Sequence, residues 1–299
     1  MRILLTGPSG FVGAAFARLA LERGHAVAGL LIPSEPIPQR VPHHSGLCWL
    51  RGNLEEAPWQ AIERFAPEVC VHAAWITTPG IYLESPENER FRDSSIQFLR
   101  RLRKQGVGHI VSLGTCVEYR MTGQTLSEAT TPVEPTTLYA RCKNDLRLAL
   151  EADSQKEGFS FCWTRIFYPY GPGEHPSRLC SSIVHKLLRE EKIVLKTPAS
   201  TKDYIFIEDL ADALLTVVQK RFLGIINLGT GQGVAVRVIA QTLGRMVGKP
   251  GLVEEKNPPE TDPSGDVVAD VSRLRGLDWH PRHTLEAGLE RLVSLIRSS

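Results

Sequence analysis

No apolar run in the chain reaches the roughly 18 residues that a membrane-spanning helix needs. The first residues, MRILLTG, run straight into a glycine motif and leave no room for a signal peptide, so a cytoplasmic location without a membrane partner is expected. An excess of charge is missing too. A formal net charge of +2 with no long basic run excludes a polyanion-binding surface, and with it nucleic acid as the main partner. The six cysteines (Cys48, Cys70, Cys116, Cys142, Cys162 and Cys180) are scattered, without a CxxC pair or a histidine at zinc-finger spacing. They read as reduced core residues, and no metal site is expected. There is no internal repeat. What is present is an α/β pattern over 299 residues, enough for a large domain with a lobe and a sizeable core.

The pattern opens MRILLTGPSGFVGAAFARLALERGHAVAGLLI, which reads strand, glycine turn, amphipathic helix, strand. Gly7, Gly10 and Gly13 are spaced GxxGxxG, one residue looser than the common dinucleotide fingerprint. The physics is shared: a tight turn, a close backbone approach to a pyrophosphate, and close helix-strand packing, with the anion at the helix N-terminus. Ser9, Phe11 and Val12 share this turn and are assigned with the glycines to the cofactor. An acidic residue at the end of the second strand would grip the adenosine ribose of NAD. Leu31, Ile32, Pro33 and Ser34 stand there instead, with Arg40 further on. NADP is therefore favoured over NAD, with Ser34 or Arg40 as phosphate contacts.

The chain is organised around the stretch from Val111 to Lys143, which begins as the buried strand VSL and ends in a helix carrying Tyr139 and Lys143. A helix turns once in about 3.6 residues, so these two side chains share a face. Thr115, at the strand end, can face them. A phenol loses its proton at a pH of about 10, and a nearby ammonium that favours the phenolate makes it a general acid/base for a carbinol oxygen. Lys143 is placed to do this.

Elsewhere, Asn53 after CWLRG either reaches the adenine, with Leu54 beside it, or caps a turn. PEVCVHAA is a buried parallel strand whose small residues Ala73 and Ala74 suit a bound cofactor, and His72 in it reads as a core histidine. TTPGIYLESPEN is a loop before a long helix with Phe91, Ile96 and Leu99 on its apolar side. The strand FSFCWTRIF gives way at Tyr168 to proline- and glycine-rich YPYGPGEHPSR, a lobe boundary. Asp203 to Phe206 read as an edge-like strand, and Glu208 with Asp209 as acidic residues capping a helix rather than as catalysts.

TGPSGFVG, Thr115, YARCK, RIFYPYGPGE and KDYIFIEDLADA, in this order over nearly the whole chain, resemble the extended short-chain dehydrogenase/reductases, specifically the NAD-dependent epimerase/dehydratase family that acts on nucleotide sugars. The resemblance implies a Rossmann fold, a doubly wound parallel sheet over residues 1–167 to which 203–228 return. It also implies a smaller C-terminal substrate-binding lobe over 168–299, and a homodimer through the two long helices. It implies Tyr139 as acid/base, Lys143 on the nicotinamide ribose and lowering the phenol pKa, Thr115 on the sugar oxygen, and Tyr168 near the cofactor. Trp75, Cys116, His175, Arg178 and Lys202 go to the nucleotide-sugar substrate, Lys202 standing where family members carry a diphosphate-binding arginine.

The chain departs from the family's 4,6-dehydratases, which follow the hydroxyl residue with Asp and Glu, where Cys116 and Val117 stand here. Two enzyme readings remain. The favoured one is an NADPH-dependent 4-ketoreductase acting on a nucleotide 4-keto-6-deoxy sugar, and the other is a 4-epimerase with tightly held NAD. A non-catalytic NAD(P)-binding regulator is the reading of another class, against which the retained Thr115, Tyr139 and Lys143 argue.

Overall fold

A computed structural model describes residues 1–298. In chain order the elements are β1 (Arg2–Thr6), α1 (Phe11–Glu22), β2 (Ala26–Leu31), β3 (Leu47–Arg51), α2 (Trp59–Phe65), β4 (Val69–His72), α3 (Glu87–Lys104) and β5 (His109–Thr115). There follow β6 (Thr125–Leu126), α4 (Leu138–Glu157), β7 (Ser160–Ile166), β8 (Tyr168–Tyr170), α5 (Leu179–Leu188), β9 (Ile193–Leu195), β10 (Thr201–Phe206), α6 (Ile207–Gln219), β11 (Gly224–Leu228) and β12 (Gly233–Ala235). Among the described residues, seven strands form a parallel sheet in the order β11-β7-β5-β4-β1-β2-β3. Parallel strands covered by helices on both faces must be apolar throughout, and β1, β2, β4 and β5 are buried almost end to end. Strand order reverses between β1 and β4, the switch point outside whose carboxyl ends a doubly wound sheet binds its ligand.

The chain falls into two compact units. The first comprises Met1–Glu118, Val133–Arg165 and Ala211–Ile226, and the second Tyr119–Pro132, Ile166–Leu210 and the residues from Asn227 on. Tyr119–Pro132 thus groups with the second unit although it lies inside the 1–167 span, and the returning segment starts at Ala211 rather than 203. In the second unit β10 lies between β12 and β8, antiparallel to the one and parallel to the other. It is therefore a central strand, not the edge that its polar start suggests. Buried Asp203 makes this possible by accepting the backbone N–H groups of Thr230, Gly231 and Ala269 and the Thr230 hydroxyl.

Two helices place the site. Thr137 caps α4, its hydroxyl accepting the Ala140 N–H at 3.2 Å, and Gly158 ends the helix in the left-handed region. α3 carries Glu87 and Glu89 in its first turn and Arg101, Arg103 and Lys104 in its last, signs that match the helix dipole. Cys70, Cys116, Cys142, Cys162 and Cys180 are buried and Cys48 is half-buried, as core residues should be. Among the described residues no helix is long and apolar enough to cross a membrane.

Candidate active site

The glycine turn is built by close approach. Gly7 has φ +68°, and a Cβ there would lie 2.8 Å from the Ala74 nitrogen; a Cβ on Gly13 would lie 2.0 Å from the Gly7 oxygen. Both positions are closed to side chains by the protein's own backbone. Gly10 differs, since an added Cβ would meet only the Gly7 oxygen at 3.4 Å. Its smallness is not demanded by internal packing. Gly10 is the N-cap of α1, a helix start with no side-chain cap and no acidic residue in the first turn. Such a start, kept bare by glycine and flanked by Ser9, Phe11 and Val12, fits the pyrophosphate of a dinucleotide.

Thr6 ties this turn to the end of β4. Its hydroxyl oxygen accepts the N–H groups of Ala73 and Ala74, both at 3.1 Å, so its own hydrogen goes to His72 Nδ1 at 2.9 Å. His72 is then the Nε2–H tautomer and donates to Ser95 Oγ at 2.9 Å. Burial, with Lys143 adding to it, holds this imidazole neutral down to about 3. It is a satisfied core histidine, in keeping with its place in an apolar strand.

At the end of β2, Ile32 is half-exposed and Ser34 and Arg40 are exposed. Arg51, at the end of the adjacent β3, donates to the carbonyls of Ile32 and Glu35 and so shapes this loop. Asn53 Oδ1 accepts the N–H groups of Glu55 and Glu56 at 2.9 and 2.7 Å, the turn-capping alternative, with Leu54 buried behind it.

The structure brings Thr115, Tyr139 and Lys143 together. Thr115 is the last residue of β5 and hydrogen-bonds the Tyr139 side chain. The backbone N–H of Tyr139 donates 2.9 Å to Leu83 O, which fixes the start of α4 against the β4–α3 loop. One turn on, Lys143 Nζ donates 2.7 Å to Leu113 O and lies 3.9 Å from the centroid of the Trp75 ring. The Tyr139 ring meets Tyr82 edge-on at 5.0 Å.

The electrostatics run against the expected direction. Spacing alone has Lys143 drawing the phenol pKa down, but burial, with Tyr82 and Glu118 adding to it, pushes it above the ordinary value, the Thr115 hydrogen bond only partly opposing. Burial also pulls Lys143 down to about 7, against the pull of Glu118. Desolvation penalises charge on both groups, and the ammonium directs its hydrogen bond to Leu113 rather than to the phenol. Tyr139 is thereby kept as the acid form.

Glu118 is a site residue that the sequence does not announce. It is fully buried, and its carboxylate accepts the Thr115 N–H at 2.9 Å, the Trp163 indole N–H at 3.0 Å and Arg165 Nε at 2.9 Å. It pins the backbone of Thr115 at the strand end. Gly114 makes room, since a Cβ there would sit 2.1 Å from the Trp163 nitrogen. Glu118 follows Thr115 by three residues and Arg165 opens the RIFYPYGPGE motif, but nothing local pairs them. Cys116 is buried beside Thr115.

The remaining assigned residues lie in the second unit. His175 and Arg178 are exposed, His175 Nδ1 bonding Ser177 Oγ at 2.8 Å and Arg178 standing at the N-cap of α5. Lys202 is buried, and its ammonium is paired with Asp262 at 2.8 Å and donates to Ser264 Oγ and Gly265 O. The Tyr168 ring lies 5.9 Å from that ammonium. Glu208 and Asp209 begin α6 but are more than caps. Asp209 accepts the backbone N–H groups of Arg282 and His283 and pairs with the His283 ring at 2.9 Å, and Glu208 pairs with Arg291.

Known proteins resemble this chain along nearly its whole length. The family model described as "NAD dependent epimerase/dehydratase family" matches residues 3–229. UDP-glucose 4-epimerase of Corynebacterium glutamicum is 26% identical over 95% of this chain and 92% of its own. The dTDP-4-dehydro-6-deoxyglucose reductase of Escherichia coli is 21% identical over 99% of this chain and 97% of its own. The solved structure of Thermus thermophilus UDP-glucose 4-epimerase in complex with NAD superposes with a TM-score of 0.84 at 25% identity, each chain covered completely.

Proposed function

The chain belongs to the NAD-dependent epimerase/dehydratase family, and from that premise we propose that it is a 4-ketoreductase acting on a nucleotide 4-keto-6-deoxy sugar. The observation that carries the reading is the hydrogen-bonded pair of Thr115 and Tyr139 at the end of β5, with a buried phenol kept protonated. Gly7, Gly10 and Gly13 would hold the pyrophosphate of a reduced dinucleotide, which would supply the hydride. Reduction of a C4 carbonyl leaves an alkoxide, and Tyr139 is the group placed to hand it a proton. Thr115 orients the phenol, and Lys143 near neutrality restores charge balance as the proton leaves. Cys116 and Val117 stand where water elimination would need an acid and a base, which speaks against a dehydratase.

Ile32, Ser34 and Arg40 at the end of β2 support NADPH as donor, whereas the NAD in the Thermus thermophilus structure supports NADH. The second reading is a 4-epimerase, favoured by the name of the Corynebacterium glutamicum relative. A homodimer through α3 and α4, which lie side by side with Arg92 3.5 Å from Asp145, belongs to either reading.

The test is the purified chain given dTDP-4-dehydro-6-deoxyglucose with NADPH or NADH. Stoichiometric loss of nicotinamide absorbance with formation of the 4-hydroxy sugar supports the reductase. Bound NAD+ released on denaturation, with interconversion of UDP-glucose and UDP-galactose, would replace it by the epimerase. Tyr139→Phe should bind cofactor as before and turn over at least about a hundredfold more slowly. Undiminished turnover in that variant removes the proton role altogether.

A further inference from the structure

The loop between β4 and α3 carries aromatic side chains for which the reaction just described has no use. Trp75 lays its ring face under the Lys143 ammonium, and its Nε1–H donates 2.8 Å to Asn88 Oδ1. Asn88, in the first turn of α3, has no exposed surface. Its amide nitrogen donates to the carbonyl of Tyr82 at 2.6 Å and to that of Ser85 at 2.8 Å. Tyr82 is the residue whose ring meets the edge of Tyr139. Two carbonyl acceptors on one side and an indole donor on the other allow this amide only one orientation, since the flipped form would set oxygen against two carbonyls. Burying an amide is costly unless every bond is made, and here all three are made to the walls of one site.

We propose that Asn88 is the positioning residue of this site: one amide holds the Trp75 ring against the Lys143 ammonium and the Tyr82 segment against the Tyr139 phenol. The inference rests on the reading of Tyr139 and Lys143 as the proton-transferring pair. Lys143 is faced by His72 from β4, Glu118 from the turn after β5 and the Trp75 ring from the loop. Of these, Glu118 is engaged by Arg165, and His72 is neutral through the physiological range. Because the ring carries no charge, changing it alters how well the ammonium is held without adding or removing a titrating group. A ring face favours the protonated form of the amine, and so its position helps to hold the Lys143 proton against the pull of burial.

The test needs no substrate. Lys143 in the full chain is acetylated with trace acetic anhydride over a pH series, and its extent of labelling is read by peptide mass spectrometry. Wild type should show half-reactivity near the value of about 7 that burial imposes on it. Trp75→Leu, which keeps the site dry but removes the π face, should lower that midpoint by about one pH unit. Asn88→Ala, which leaves the ring in place but untethered, should move it in the same direction by a smaller amount. An Asn88→Ala midpoint equal to wild type overturns the proposal, whatever Trp75→Leu does. Should Asn88→Ala fail to fold, Trp75→Leu alone decides, an unmoved midpoint counting against it. If Tyr139→Phe proves fully active while the midpoints shift as stated, the tether stands and the proton-transfer reading falls. Unmoved midpoints beside an inactive Tyr139→Phe overturn the tether and leave the proton-transfer reading standing.

Discussion

Two lysines in this protein are nearly excluded from water, and they are held in opposite ways. Lys202, in the second unit, has a carboxylate at 2.8 Å and two further acceptors in Ser264 and Gly265. Lys143, in the first, has one carbonyl and one aromatic face, and among the described residues no carboxylate within ion-pair distance. The first arrangement satisfies a charge completely, and the partner is stabilised in turn. Burial works to raise the Asp262 pKa, but hydrogen bonds from Lys202, Ser200 and Ser264 outweigh it and hold the carboxyl well below the usual range. The second leaves a charge incompletely compensated by its surroundings, so that the proton is only loosely held. A fully partnered cation builds structure. A cation with its proton near release serves chemistry.

The largest expected effect separates the two directly. Lys143→Met should cost at least about a hundredfold in turnover, the scale of a lost acid/base partner, while the thermal midpoint stays level or rises because a poorly compensated buried charge has gone. Lys202→Met should do the reverse in kind, lowering stability by about 1–3 kcal/mol, because Asp262 is left without its cation but keeps some contact with water. Adding Asp262→Asn to Lys202→Met should recover part of that loss, a coupling that a double-mutant cycle in urea would measure. Equal stability losses at both lysines would erase the contrast.

The pH dependence of folding sharpens the same contrast. Lys143 binds its proton less tightly folded, at about 7, than unfolded, at about 10.4. Between these values the unfolded chain carries the extra proton, so the Lys143 contribution to stability rises with pH across that window. Asp262 is shifted down on folding, so its contribution is present above the unfolded value of about 3.9 and is lost as pH falls below it. Stability curves against pH should therefore lose slope above neutrality in Lys143→Met and lose part of the acid limb in Asp262→Asn. The reverse assignment would refute the account.

How much of this is visible in the sequence follows from how local each arrangement is. The glycine turn, the helix that starts just before Tyr139 and the Tyr139–Lys143 spacing are set by residues within a turn or two of one another, and each is legible. The Rossmann topology follows, because parallel buried strands leave a plain apolar signature. The clamp of Glu118 on Arg165 joins positions 47 apart, and that of Lys202 on Ser264 joins positions 62 apart. Neither has a periodic trace. Asn88 gives no signal in the sequence, because one buried asparagine looks like any exposed one until its three partners are known. The opposite pKa direction at Tyr139 has the same origin, since burial is a property of the fold and not of the spacing.

The smallest effect concerns the one assignment that the contrast puts under strain. The family resemblance leads one to expect Lys202 in the place of a diphosphate-binding arginine, yet its donors already have acceptors. A diphosphate bound there would have to compete with Asp262, two anions for one ammonium. Asp262→Asn removes the charge of the resident competitor while keeping its shape. If the diphosphate reaches Lys202, affinity for dTDP measured by calorimetry should tighten by about three- to tenfold, with a steeper dependence on ionic strength, since the freed charge would be met by phosphate. Unchanged affinity would assign Lys202 wholly to holding the segment around Ser264. The two buried lysines would then differ not only in how they are held but in whether they meet a ligand at all.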